Sequence, residues 1–151
     1  MSPYDMIKDH LSKSVPFAAH TGVVLESVAD GEGVARLEQS ETSINHIASQ
    51  HAGALFTLGE TASGAALAGA LAPVIMSARP VAAKAEIAYK KIAKGAITAH
   101  AKASQASNEL LQTLEKDGRV SFDVHVDLQN ADGESVAAMT VQWHVSKARD
   151  A

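Results

Sequence analysis

Asn45, His51 and Glu60 are the residues whose types and spacing could do chemistry, and they stand in NHIASQHAGALFTLGE, residues 45–60. Glu60 lies within Gly53 to Gly69, a run almost entirely of Ala, Gly, Leu, Ser and Thr that reads as a buried helix. Its helical neighbours at three and four positions are Phe56, Thr57, Ser63 and Gly64, and no Lys or Arg occurs between Arg36 and Arg79. A solvated helix face usually shows some local charge pairing. The functional reading is a carboxylate that is partly desolvated, with its pKa raised. The competing reading is a plain carboxylate at an exposed helix edge.

His51-Ala52-Gly53 falls at the predicted helix start. The first N–H groups of a helix have no intrahelical partner and carry partial positive charge, so they can hold an oxyanion. The competing reading is simple capping, by Ser49 or a neighbour. If both were helical, His51 and Glu60 would point to opposite sides and stand about 13 Å apart along the axis. The two cannot readily act on one atom within one chain. A two-fold dimer could set one chain's helix start beside the other's helix middle, so the spacing favours a shared site.

The elements that must position these residues are legible as an α+β chain. A short amphipathic helix is predicted over about residues 2–14, with Ser2 and Pro3 at the start and Tyr4, Ile7 and Leu11 on one face. Thr21–Ala29 and Gly33–Glu38 read as strands joined around Asp30-Gly31, and Gln39–Gln50 as a polar loop. A central helix is predicted over about 52–71. Its interior Gly59, Gly64 and Gly69 cost about 1 kcal/mol each relative to alanine, which a sheet wrapped closely round the helix would offset. Beyond Pro80, Val81, Ala83, Ala85, Ile87 and Tyr89 share one face of a strand. A turn at Lys94-Gly95 leads to a second strand, with Ile97, Ala99, Ala101 and Ala103 on one face. Asn108–Lys116 is a short helix or an extended connection. Phe122, Val124, Val126 and Leu128 mark another strand, and Asn130-Ala131-Asp132-Gly133 turns into a last one over Ser135–Val145.

The 151 residues suit one domain, read here over 1–151, with 46% hydrophobic and 20% charged residues. Without cysteine there is no disulfide framework and no thiolate nucleophile or ligand. A net charge of −4 with scattered cations gives no footprint for nucleic acid. Ala62–Met76 is too short, too weakly apolar and too broken by Pro73 to span a bilayer. The start MSPYDMIKDHLSKSV has no apolar signal region, so a cytoplasmic location is expected. His46 and His51, five apart, lack the companions of a metal site, and neither a metal nor any other cofactor is expected. Ser63 stands in no G-x-S-x-G elbow and reads as a packing residue.

Asn45, then His51-Ala52-Gly53 six residues on, then Glu60 nine residues after the histidine resembles the hotdog-fold acyl-CoA thioesterases. The likeness is to the PaaI-like branch that includes phenylacetyl-CoA thioesterases. GALFTLGETASGAA is typical of that family's helix, AEIAYKKIAKG of its next strand and turn, and VHVDLQNADGESVAAMTVQWHV of its final hairpin. Ala52 stands where the family has the first Gly of His-Gly-Gly, and Ala82 where related enzymes often carry Ser or Thr. The resemblance implies a hotdog fold, an antiparallel sheet wrapped around the long central helix, in a homodimer or a dimer of dimers with sites between protomers. It implies that Glu60 is the general base or nucleophile and that the Ala52 and Gly53 N–H groups hold the oxyanion. Asn45 would orient water or substrate, and His51 would position the loop or contact the thioester. Lys84, Lys90, Lys91 and Lys94 would meet the CoA phosphates or be ordinary solvated charge. The expected activity is hydrolysis of an acyl-CoA to a free acid and CoA. The alternatives are a hotdog hydroxyacyl thioester dehydratase and a non-catalytic acyl-CoA-binding protein.

Overall fold

The computed structural model describes residues 1–148; residues 149–151, included in the domain read over 1–151, lie outside the described part. The first helix, α1 (Pro3–Ser14), opens on a capping box. Asp5 N–H donates to Ser2 Oγ at 3.1 Å and Ser2 N–H to Asp5 Oδ2 at 3.2 Å, satisfying two orphan donors at once. Ile7 is buried, with Tyr4 and Leu11 packed against the core. A helix absent from the sequence reading follows, α2 (Pro16–Thr21), so the first strand does not begin at Thr21. Pro16 fits the first turn, where its missing N–H has no intrahelical partner, and Gly22, at φ 97°, ends the helix in the left-handed region.

Strands β1 (Val23–Ala29) and β2 (Glu32–Leu37) form the expected hairpin. The central helix α3 runs Ala52–Ala70, followed by a 3₁₀ turn at Ile75–Ser77. Then come β3 (Ala78–Tyr89), β4 (Ile97–Ala103), α4 (Ser107–Asp117), β5 (Arg119–Gln129) and β6 (Ser135–Lys147). The six strands make one antiparallel sheet in the order β1-β2-β4-β5-β6-β3, and α3 packs against β1, β2, β4, β5 and β6. This is the hotdog arrangement. Although Lys94-Gly95 joins β3 to β4 in sequence, the two strands are not neighbours. β4 sits between β2 and β5, while β3 forms the far edge and pairs with β6 alone.

The face expected along β3 is split. Ala82 pairs with Trp143 and Lys84 with Gln142, leaving Ala83 without an opposite residue. Because side chains alternate with period two, that extra residue moves everything before it to the other face. Ala85 and Ile87 lie opposite the buried Val141 and Met139, whereas Val81 lies opposite His144 and is exposed.

The glycines of α3 show why the helix is built from small residues. A Cβ on Gly59 would stand 2.6 Å from Met139 Sδ, and one on Gly69 would fall on the Ala29 carbonyl. The sheet is that close. Gly64 is different, since a Cβ there would meet only the Trp143 ring, at an ordinary 3.7 Å.

Candidate active site

Glu60 sits near the middle of α3, half-buried, on the wall of a cavity of about 530 Å³. The cavity lies between α3 and a cover made by α1, Val15 and α2, with β1, the 3₁₀ turn, the start of β3 and Trp143 completing the walls. Burial alone pushes the Glu60 carboxyl above its ordinary value of 4.5, because no cation or donor among the described residues reaches it. That agrees with the missing local partner in the sequence.

The turn carrying Glu60 is pinned from the sheet. Ser63 Oγ donates to the Glu60 carbonyl at 2.7 Å, and Trp143 Nε1 donates to Ser63 Oγ at 3.1 Å. Ser63 is wholly buried and Trp143 nearly so. Sequence reasoning missed this pair. Trp143 occupies an inward position of β6, and a buried indole N–H needs an acceptor, but nothing in the sequence says which.

Asn45 organises the loop before α3. Its Oδ1 accepts from the N–H groups of Ile47 (3.0 Å) and Ser49 (3.1 Å), and its Nδ2 donates to Ser49 Oγ at 2.9 Å and the Gln50 carbonyl at 3.4 Å. Gln50 N–H donates to the Ala93 carbonyl at 2.8 Å, and Gln50 Nε2 to the Gly95 carbonyl at 3.0 Å. His51 N–H donates to the Ser43 carbonyl at 2.8 Å. The cap of α3 is His51 itself, whose Nδ1 accepts from Gly53 N–H at 2.8 Å. This occupies one of the two donors expected at the helix start. The Ala52 N–H has no acceptor among the described residues. Tyr89 Oη donates to the Ala52 carbonyl at 2.9 Å, fastening the end of the edge strand to the start of the helix.

Asn45, His51, Ala52 and Gly53 therefore gather at one end of α3, and none of them lines the cavity on which Glu60 opens. The bond from Gln50 to Ala93 brings the Lys90–Lys94 connection to that same end. Lys91 Nζ is 2.7 Å from Glu134 Oε2. Lys84 stands apart, about 20 Å from Lys90 at about 3.3 Å per residue of strand, with its Nζ 3.1 Å from Glu86. Among the described residues, no three His, Cys, Asp or Glu side chains are placed to hold a metal ion, and no helix is long and apolar enough to cross a membrane.

Residues 5–145 match the model of a family described as a domain of unknown function, DUF4442. No curated protein matches the chain. Among solved structures, the chain is similar to protein PA5026 from Pseudomonas aeruginosa, described as a probable thioesterase, at 23% identity. The match covers 95% of each chain with a TM-score of 0.81. It is similar to the E. coli PaaI protein from the phenylacetic acid degradation operon at 18% identity, over 95% of this chain and 96% of that one, TM-score 0.74. A hypothetical thioesterase protein from Streptococcus pneumoniae, solved with coenzyme A, is 23% identical over 89% of this chain and 96% of that one, TM-score 0.67. Together with the sheet order and the enclosed helix, these matches establish that the chain belongs to the DUF4442 family and has the hotdog fold of PaaI-like thioesterases.

Proposed function

We propose that the protein hydrolyses acyl-CoA thioesters to a free carboxylic acid and CoA. The observation that carries this reading is Glu60, an unpartnered, half-buried carboxylate on the wall of an apolar cavity. Burial makes such a group a stronger proton acceptor than an exposed carboxylate. Glu60 takes a proton from water as the water oxygen bonds to the thioester carbonyl carbon. The carbonyl oxygen, now negative, is held by the free Ala52 N–H. Collapse breaks the carbon–sulfur bond, and the proton on Glu60 passes to the departing thiolate. Coenzyme A as the leaving group is suggested by the similar Streptococcus pneumoniae protein solved with it, and the Lys90–Lys94 connection beside the helix start offers cations for its phosphates.

The site is completed in a homodimer, itself able to pair into a dimer of dimers. Within one chain Ala52 and Glu60 are about 12 Å apart along the helix axis, too far to act on one carbonyl. β3 supports the pairing, being a twelve-residue edge strand bonded on one side only, with Val81 and Tyr89 exposed. Such an edge is a ready template for a second copy of itself. Asn45 and His51 act here as positioning residues that fix the helix start.

The capped Gly53 N–H favours a second reading, a protein that binds acyl-CoA without turning it over. Hydrolysis of a panel of acyl-CoAs, followed as release of free thiol, tests both. Turnover that falls by orders of magnitude in Glu60→Ala supports the hydrolase, and tight binding without thiol release selects the binding protein.

A further inference from the structure

Gly59 and Gly69 are needed because the sheet leaves no room for a methyl group, but Gly64 has no such neighbour. A glycine inside a helix where alanine would fit is unfavourable, so its missing side chain must serve something other than packing within this chain. Gly64 lies one turn beyond Glu60 on the wall of the same cavity.

The cavity follows one face of α3. Glu60, Thr61, Gly64, Ala65 and Ala68 all line it, the spacing of a single helical stripe. From Glu60 to Ala68 the stripe runs about 12 Å, at 1.5 Å per residue, away from the His51 end. An extended chain of single bonds advances about 1.2 Å per bond, so that depth holds roughly ten carbons.

The chemistry of the lining is equally selective. Opposite α3 the walls are mainly aliphatic, with Leu11, Val15, Val23, Leu25 and Ile75 among them. Besides Glu60, its side chains with polar atoms are His10, Ser12, Thr61 and Trp143, the last with its indole N–H already given to Ser63 Oγ. Ser12 Oγ already donates to the Lys8 carbonyl at 2.7 Å, and Thr61 Oγ1 to the Thr57 carbonyl at 2.7 Å. The exposed His10 imidazole makes no hydrogen bond among the described residues. The rest of the lining offers little to recognise a hydroxyl or carboxyl on the substrate's tail, and a polar group buried there without a partner would be disfavoured.

We propose that this cavity is a slot for an unsubstituted, straight aliphatic acyl chain of roughly eight to ten carbons, and that Gly64 keeps it open just beyond the reacting carbonyl. The proposal rests on the hydrolase reading for placing the thioester at Glu60. It also settles the direction of the substrate, with the hydrocarbon running toward Ala68 and the CoA portion leaving toward the helix start of the partner subunit.

The test is a series of straight-chain acyl-CoAs from two to sixteen carbons, with phenylacetyl-CoA alongside, measured for kcat/KM on the wild type, Gly64→Ala and Gly64→Leu. The wild type should prefer roughly eight to ten carbons over two by at least tenfold. Gly64→Leu should lower the ten-carbon value at least tenfold more than the two-carbon value, with Gly64→Ala intermediate and melting no lower than wild type. A profile without length preference, phenylacetyl-CoA as the best substrate, or an equal loss at every length in Gly64→Leu would overturn the slot. Calorimetric binding of the same series to Glu60→Gln separates the two readings. Length-dependent binding with no wild-type hydrolysis keeps the slot and rejects the hydrolase, whereas hydrolysis with length-independent binding does the reverse.

Discussion

Trp143 of β6 donates its indole N–H to Ser63 of α3 at 3.1 Å, joining residues eighty positions apart, and Ser63 passes the connection on to the carbonyl of Glu60. The turn bearing the candidate base is therefore held by the sheet rather than by the helix alone. Ser63→Ala strands a buried indole N–H, which costs about 1–3 kcal/mol. Urea unfolding should report that loss, and kcat should fall with it while the cavity walls stay in place. Stability within a few tenths of a kcal/mol of wild type would show that the bond contributes nothing.

Glu60 links activity and stability to pH in opposite senses. Burial raises its folded-state pKa above the ordinary 4.5, so the native protein holds this proton more tightly than the unfolded chain does. The charged form is thus an uncompensated burden on the fold. It is absent below the unfolded pKa and complete once the pH exceeds the folded one. Glu60→Gln should melt at a higher temperature than wild type at pH 7, with the difference fading as the pH falls through the raised folded value and gone by about 4.5. Hydrolysis should instead lose its active form as pH falls, with a midpoint above the ordinary glutamate range.

Ala52 offers a clean test of the oxyanion donor. It is the first residue of α3 and follows His51, whose φ of −65° and ψ of 142° suit the residue before proline. Ala52→Pro removes the unpartnered N–H at a position where proline is well tolerated. The variant should melt near the wild type and lose about 10²–10³ in kcat. Mixed in equal parts with Glu60→Ala and allowed to exchange subunits, it should recover about a quarter of the wild-type rate, because half the dimers then hold one intact site of two. No recovery would mean that each chain completes its own site.

His51 is read here through its cap. His51→Ala leaves Gly53 N–H without its acceptor and should cost about 1 kcal/mol, whereas His51→Asp restores an acceptor at the same position. Chemical denaturation of the two variants separates capping from contact with substrate. Recovered stability with low activity in His51→Asp would give the imidazole a second task.

The helix glycines should divide sharply. Gly69→Ala drives a methyl group onto the Ala29 carbonyl, and Gly59→Ala drives one against Met139, each overpacking the core by about 1–3 kcal/mol. Gly64→Ala should instead gain up to about 1 kcal/mol of helix stability. Three urea titrations decide it.

The sequence announced α3 and its odd carboxylate because both are local facts: a run of small residues, and no cation within reach of Glu60 in the chain. The cap and cavity were less legible. His51 as an acceptor for Gly53 depends on a backbone turn set by Asn45 and Gln50, and the cavity depends on α2, which Pro16 and Gly22 bracket but which is too short to show a period. On β3 the alternation that marked Ala85, Ile87 and Tyr89 ran on smoothly into Val81, since a bulge at Ala83 leaves no trace in residue type. The separation of β3 from β4 was equally hidden, because alternation says which way side chains face and nothing about which strand lies alongside.

Gly59 and Gly69, ten residues apart, hold α3 close to the sheet, and Gly33 of β2 meets the helix between them at Ala62, Ala65 and Ala66, while the face at Gly64 stays open. A mandrel clamped in this way cannot slide or roll to suit a new occupant. Change in what the cavity accepts has more room on the opposite wall, where α1 and α2 share no hydrogen bond with the strand ladder among the described residues. A part held constant is thus set against a part freer to diversify, and the first 22 residues are where a lineage could reshape the cavity while leaving the Glu60 turn in place.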